Sequence, residues 1–139
     1  MSEKKKKRKG ITTKAKKKMA VARAVIRRGK GVVRINKRNL TTISPEFMQE
    51  FVREPLDLAQ PISSEVDIEV TASGGGFMGQ MVAARSSIAK AILEFRNDEK
   101  LKKRFLAYDR LLIVDDARRV EPKKQLGTKA RKKKQSSKR

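Results

Sequence analysis

Gly74-x-Gly76-x-x-Gly79 is the one spacing in this chain that could hold a nucleotide, and it stands where such a motif must stand. It follows an alternating stretch, Val66, Ile68 and Val70, and opens an apolar stripe through Met81, Ile88, Ile92 and Phe95, flanked by Val82 and Leu93. The first spacing is that of a strand with one buried face, the second that of a helix. Glycines between them would free the backbone for a tight turn and close approach to a pyrophosphate at the helix N-terminus. An acid, Glu94 or Asp98, also lies near the distance at which such a site holds a ribose. The surrounding pattern argues against a dinucleotide site. That fold repeats β-α-β units on a parallel sheet, whereas this chain reads as a hairpin, a helix, one strand and two helices. Glu94 also falls inside a helix. A phosphate-cradling hydrolase loop would need Lys and then Ser or Thr after Gly79, where Gln80 and Met81 stand. Without that ammonium and hydroxyl, nucleotide hydrolysis has no chemistry to work with. Two uses of the glycines stay open: close packing of helix on sheet, or close approach of backbone to an RNA phosphate.

Other reactive chemistry is scarce. The chain has no Cys and no His, which excludes thiolate and imidazole ligation of metals, His-based catalysis and disulfides. No enzyme activity and no cofactor is expected. With 139 residues, 37% of them hydrophobic, there is room for one modest core. No apolar run is long enough to span a membrane, and no secretory apolar segment follows the charged N-terminus, so a soluble chain is expected. The formal charge is +22, and its placement matters more than its size. About 21 of the 37 Lys and Arg lie in Met1–Lys18 and Arg118–Arg139, leaving a middle of only about +3. The division expected is a disordered basic extension over 1–18, a folded domain over 19–117 and an extended basic tail over 118–139. Two cationic arms point to RNA or DNA phosphate as partner.

The elements that must position these residues follow in order. In MAVARAVIRR, Ala20, Ala22, Ala24 and Ile26 form a small-residue face, while Val21, Arg23, Val25 and Arg27 form a mixed one. Gly29-Lys30-Gly31 is turn chemistry and VVRINK resumes β-type residues, so a hairpin is expected. Arg23, Arg27, Arg28, Lys30, Arg34, Lys37 and Arg38 give it a basic surface, open to phosphate contact or to solvent alone. Ser44-Pro45-Glu46 starts a helix whose buried stripe is Phe47, Met48, Phe51 and Val52, with Pro55 ending or breaking it. Asn97-Asp98 caps another helix with inward Leu101, Phe105 and Leu106. LLIV, from Leu111, reads as a last buried strand, and Asp115-Asp116 as a turn.

GGGFMGQMVAARSSIAKAI, from Gly74, resembles the signature of the ninth small-subunit ribosomal protein family. Gly74, Gly75, Gly76, Gly79, Gln80, Ala83, Ser87, Ala89 and Lys90 occupy the matching places. KKMAVARAVIRRGKGVVRIN looks like the family's first hairpin, and YDRLLIVDDARRVEPKK looks like its last strand and exit. EFRNDEKLKKRFLAYDR is similar to the archaeal and eukaryotic branch, and the likeness runs from Lys17 to Arg139. The resemblance implies a two-layer α/β (α+β) sandwich. Its sheet would be mixed, of about four strands, with helices on one face and a left-handed β-α-β crossover. Residence in the head of the small subunit is implied too, among neighbouring ribosomal proteins in the cytoplasm, with no small-molecule substrate. The ribosomal RNA contacts implied are Arg23, Arg27, Arg28, Lys30, Arg34, Lys37, Gly74, Gly75, Gly76, Gln80 and Arg85. In the tail they are Arg118, Arg119, Lys123, Lys124, Lys129, Arg131, Lys132, Lys133 and Lys134. The final Ser137, Lys138 and Arg139 would approach the anticodon stem-loop of peptidyl-site transfer RNA. Ser136 stands where the family commonly has an aromatic residue. The competing class is a free nucleic-acid-binding protein, an RNA chaperone or a DNA-compacting protein.

Overall fold

The computed structural model describes residues 10–132, and the arm residues before and after them lie outside it. Five strands form one mixed sheet in the order β1-β2-β5-β3-β4. They are β1 (Ile11–Lys17), β2 (Ala20–Arg28), β3 (Val33–Ile35), β4 (Arg38–Asn39) and β5 (Val66–Ser73). Three helices, α1 (Glu46–Leu58), α2 (Phe77–Arg96) and α3 (Glu99–Tyr108), supply the second layer. The two-layer α+β sandwich expected from the resemblance is therefore what the chain adopts, with a fifth strand of two residues added at one edge. β3 and β5 are parallel neighbours joined through α1, and every other pairing is antiparallel.

The core is built where small residues meet. Ala20, Ala22, Ala24 and Ile26 of β2 are buried, beside Val66, Ile68 and Val70 of β5. α2 lies on this surface through Met81, Ala83, Ala84, Ser87, Ile88, Ala91 and Ile92, all buried. Alanine and serine on both surfaces let the helix axis come close to the sheet, and the alternation of each strand keeps its polar residues outside. The period-2 and helical readings of both segments hold.

Several expectations need correction. Ile11–Lys17 is not part of a disordered arm; it pairs antiparallel with β2 from Ile11–Ile26 to Lys17–Ala20. Thr13 and Ala15 are buried while Thr12, Lys14 and Lys16 are exposed, so a true strand alternation lay hidden under a high lysine count. Nor do β2 and β3 form a hairpin, because β5 lies between them. Asp67 of β5 holds the bend that makes this possible, accepting hydrogen bonds from the N–H groups of Lys30 (2.8 Å) and Val32 (3.0 Å). VVRINK is a strand only at its centre: Asn36 and Lys37 adopt φ of 48° and 69° in a tight turn to β4.

The helices differ in detail. Pro55 neither ends nor breaks α1, which continues to Leu58. Its ring is fully buried, and that packing compensates for the missing backbone donor so near the helix end. Phe47 and Leu106 face solvent, whereas Met48, Val52, Leu101 and Phe105 are buried. Asp98 caps α3 by accepting from the N–H of Lys100 at 2.9 Å, as the sequence suggests. LLIV is not a strand. Asp109 accepts from the N–H of Leu111 (2.8 Å), Ser86 Oγ donates to the Leu111 carbonyl (2.8 Å), and a 3-10 turn over Arg110–Leu112 packs on α2 instead.

The glycine turn has a structural cause. Gly74 and Gly75 have φ of +75° and +60°, and a Cβ on Gly74 would lie 2.6 Å from the backbone oxygen of Met19. Both residues pass directly over the β1–β2 turn. Gly76, by contrast, has open space around it and caps α2 without a side chain. Gly74→Ala should therefore cost about 2 kcal/mol or more in urea melts, from left-handed strain and the backbone clash together. Gly76→Ser should be neutral or slightly stabilising, because serine is a preferred cap. Equal losses at the two positions would contradict this division.

Candidate nucleic-acid interface

Two surfaces present cations. The first is the face of the sheet turned away from the helices. The register places Lys14 beside Arg23 and Thr71, then Thr12 beside Val25, Glu69 and Arg34, then Arg27 beside Asp67. Lys14, Lys16, Arg23, Arg27 and Arg34 are all exposed on it. Sequence reasoning misses Lys14 and Lys16, although the alternation of Thr12, Lys14 and Lys16 against Thr13 and Ala15 carries the signal. A cavity of about 360 Å³ opens on this face between Arg27, Arg28, Arg34, Asp67 and Glu69. Arg34 Nε donates to Asn39 Oδ1 at 3.2 Å, and Asp67 is occupied by backbone donors, so the arginines keep most of their donors outward.

The second surface is the end of the sheet where β5 runs into α2. Here lie Lys16 and Lys18, the Asn36-Lys37 turn and the glycine turn. Asn36 Oδ1 accepts from the N–H of Ala72 (2.8 Å), and Gln80 Nε2 donates to the Gly74 carbonyl (3.1 Å), so side-chain amides hold both turns. Gln80 is thus a brace for the turn. Lys30 and Arg28 lie at the opposite end of the sheet, so the candidates fall into more than one place. Arg118, Arg119, Lys123, Lys124, Lys129, Arg131 and Lys132 are exposed in a segment with no helix or strand. Arg131 pairs with Glu121 at 2.8 Å, but both are so exposed that the pair holds little. Lys133, Lys134, Ser137, Lys138 and Arg139, with Ser136, lie outside the described residues.

Arg85 does not belong to either surface. It is 6% exposed, donates to Asp109 Oδ2 at 2.7 Å, pairs with Glu54, and stacks 4.5 Å from the centroid of the Phe51 ring. An arginine in an amphipathic sequence reads as outward-facing. Acids on α1 and after α3 turn this one inward. It ties α1, α2 and the α3 exit together.

Among the described residues no group of His, Cys, Asp and Glu could hold a metal, and no helix is long and apolar enough to cross a membrane. The arrangement defines a class: a two-layer α+β protein that presents cations rather than reactive groups. The family described as ribosomal protein S9/S16 matches residues 15–139. The small ribosomal subunit protein uS9 of Methanococcus maripaludis strain C5 is 42% identical over 114 residues, 82% of this chain and 85% of that one. Its counterpart in strain C7 is similar to the same extent, 42% over 114 residues. The chain belongs to the ribosomal protein S9 family, a family of structural ribosomal proteins and not of enzymes.

The charges inside the fold bear on its stability in two ways. Arg85→Met should cost about 2 kcal/mol in urea melts, less than for a wholly buried pair because Glu54 and Asp109 are partly exposed. RNA affinity of the folded variant should stay within about two-fold, since the lost guanidinium faces inward. The second concerns acid. Backbone donors of Val32 and Lys30 hold the Asp67 carboxyl below its ordinary value of 3.8. At Asp109 burial pushes upward, but the Arg85 hydrogen bond and the Leu111 N–H outweigh it, and the net direction is down. Hydrogen bonds from Arg118 and Lys17 hold Asp116 far below that range too, but its protonation would free the chain locally, not the core, and does not enter the midpoint. Values lowered on folding contribute stability fully present above the unfolded value, and lost as pH falls through the folded ones. The thermal midpoint should be flat from pH 7 to about 5 and drop below about 4. Asp67→Asn should make that drop shallower. A steep loss between pH 7 and 5 would contradict the assignment.

Proposed function

We propose that this chain is a structural constituent of the small ribosomal subunit in the cytoplasm. On this reading it binds ribosomal RNA in the subunit head and reaches peptidyl-site transfer RNA with its last residues. One observation carries the reading: the family match continues to residue 139, through a cationic tail that contains no helix or strand among its described residues. A segment without a core of its own is matched along with the core, as a segment that works by contact would be. The physics supports the partner. Exposed lysines and arginines on an extended segment release counterions from a polyanion, and the segment orders on binding.

Within this reading Arg23, Arg27, Arg34 and Lys37 contact phosphates from the folded domain, with Arg28 and Lys30 at the far end. Gly76 is the glycine whose bareness the fold does not require, which leaves it as the place where backbone approaches RNA. Gly74 and Gly75 serve the turn. Lys123, Lys124, Lys129 and Lys132 have no ion-pair partner among the described residues and anchor the tail, together with Lys133 and Lys134. Arg139 offers a planar fork for phosphate oxygens and Lys138 a mobile point charge, beside Ser137.

Deleting Lys138 and Arg139 is the test. The protein should still be incorporated into subunits, because most of the tail charge remains, and transfer RNA should bind the peptidyl site less tightly. Each lost contact is worth about 1 kcal/mol, so the loss should be roughly ten- to thirty-fold at most. Filter binding of transfer RNA to purified subunits measures it, beside a mass-spectrometric count of this protein per subunit. Unchanged binding at normal incorporation would remove the role of the tip. Failure to co-sediment with small subunits in lysate would favour a free nucleic-acid-binding protein.

A further inference from the structure

Asp115 and Asp116 read from the sequence as a simple turn before the tail, and the structure gives them partners on two other elements. Asp116 is only 8% exposed. It pairs with Lys17 at the last position of β1, and Arg118 donates to it through Nη2 (2.7 Å), Nε (3.0 Å) and the backbone N–H (2.9 Å). Arg119 Nη1 donates to the Asp116 carbonyl at 3.2 Å. One residue earlier, Asp115 pairs with Lys90 of α2 at 2.6 Å, and Lys90 also donates to the Lys14 carbonyl of β1 at 3.3 Å. The chain after the 3-10 turn therefore runs along the outer edge of β1, from Lys14 and Lys90 towards Lys17.

We propose that Asp115 and Asp116 are positioning residues that clamp the root of the tail to β1 and α2, so that the tail leaves at the glycine-turn end of the sheet. Isolated surface pairs hold little, but these are not isolated. Lys17 is 17% exposed and Asp116 8%; losing Asp116 would leave Lys17 largely buried without its acid, and losing Lys17 would leave Asp116 held by Arg118 alone, no longer tied to β1. Asp116 also gathers donors from both directions along the chain, which fixes where the backbone of Arg118 points. The clamp does a second thing. An edge strand with open backbone groups invites pairing with another chain, and a charged segment fastened along β1 blocks that approach. Both acids are thus spent on direction and cover. The proposal depends on the function proposed above only for where the tail goes, because its test reads the free protein.

The chain contains no Cys, so spin labels on Met19→Cys and Val120→Cys, both exposed sites, report the distance from the β1–β2 turn to the tail root without background. The full-length protein should give a narrow distance distribution by pulsed electron resonance. Asp116→Asn should broaden it about two-fold, as expected when a local segment opens. Lys17→Met should broaden it equally, the double variant should add nothing further, and Asp116→Glu should restore most of the narrowness. The melting midpoint of the core should not move with the distance. A broad distribution in the unaltered sequence, or an unchanged one in Asp116→Asn and Lys17→Met, would overturn the clamp. A midpoint falling in step with the broadening in both variants would overturn it too, because the pair would then be holding the core.

Discussion

The close seat of α2 on β1 and β2 is the constraint on which the rest of this protein depends. It exists because both surfaces are made of residues too small to hold them apart: Ala20, Ala22 and Ala24 on the strand, Ala83, Ala84, Ser87 and Ala91 on the helix. Thr13 Oγ1 donates to the Ser87 carbonyl at 2.9 Å, a bond between β1 and the interior of α2 that forms only at this separation. A larger side chain at any of these places would lift the helix and strand those polar groups without partners. Gly74 and Gly75 belong to the same constraint, since the chain must leave β5 and enter α2 directly over the β1–β2 turn.

Charge is arranged around that seat in two ways. Six acids are used inside the protein: Asp67 holds a loop, Asp98 caps a helix, Asp109 and Glu54 hold Arg85, and Asp115 and Asp116 hold Lys90 and Lys17. Cations are left on the open sheet face and along the tail. With Asp67 taken up by backbone donors and Glu69 the acid left exposed there, the open sheet face shows a polyanion mostly positive charge, although the domain's own net charge is small. Partition of partners, and not net composition, makes the surface basic.

The same partition explains which candidate residues share a surface. Arg23, Arg27 and Arg34 sit on neighbouring strands of one face because β5 intervenes between β2 and β3 and spaces them out. Lys37 and the glycine turn share an end because β3 and β5 run parallel. Arg85 leaves the set because its helix turns that side towards α1.

Read by itself, the sequence determined the face each central strand buries, the stripe of α2, the Asp98 cap and the cationic nature of both arms, while its resemblance to a known family supplied the class of fold. Alternation and helical spacing report which side of an element is apolar, and they are local properties. What lies against that side is not local, and only the tertiary structure decided it. β5 displaces the expected hairpin because Asp67, far along the chain, satisfies the bend after β2. Lys17 looked like one more arm residue because its partner, Asp116, is 99 positions away. Arg85 looked outward because neither of its acids is within a helical turn of it. In each case a polar residue took its role from a partner brought near by folding, and periodicity carries no trace of such a partner.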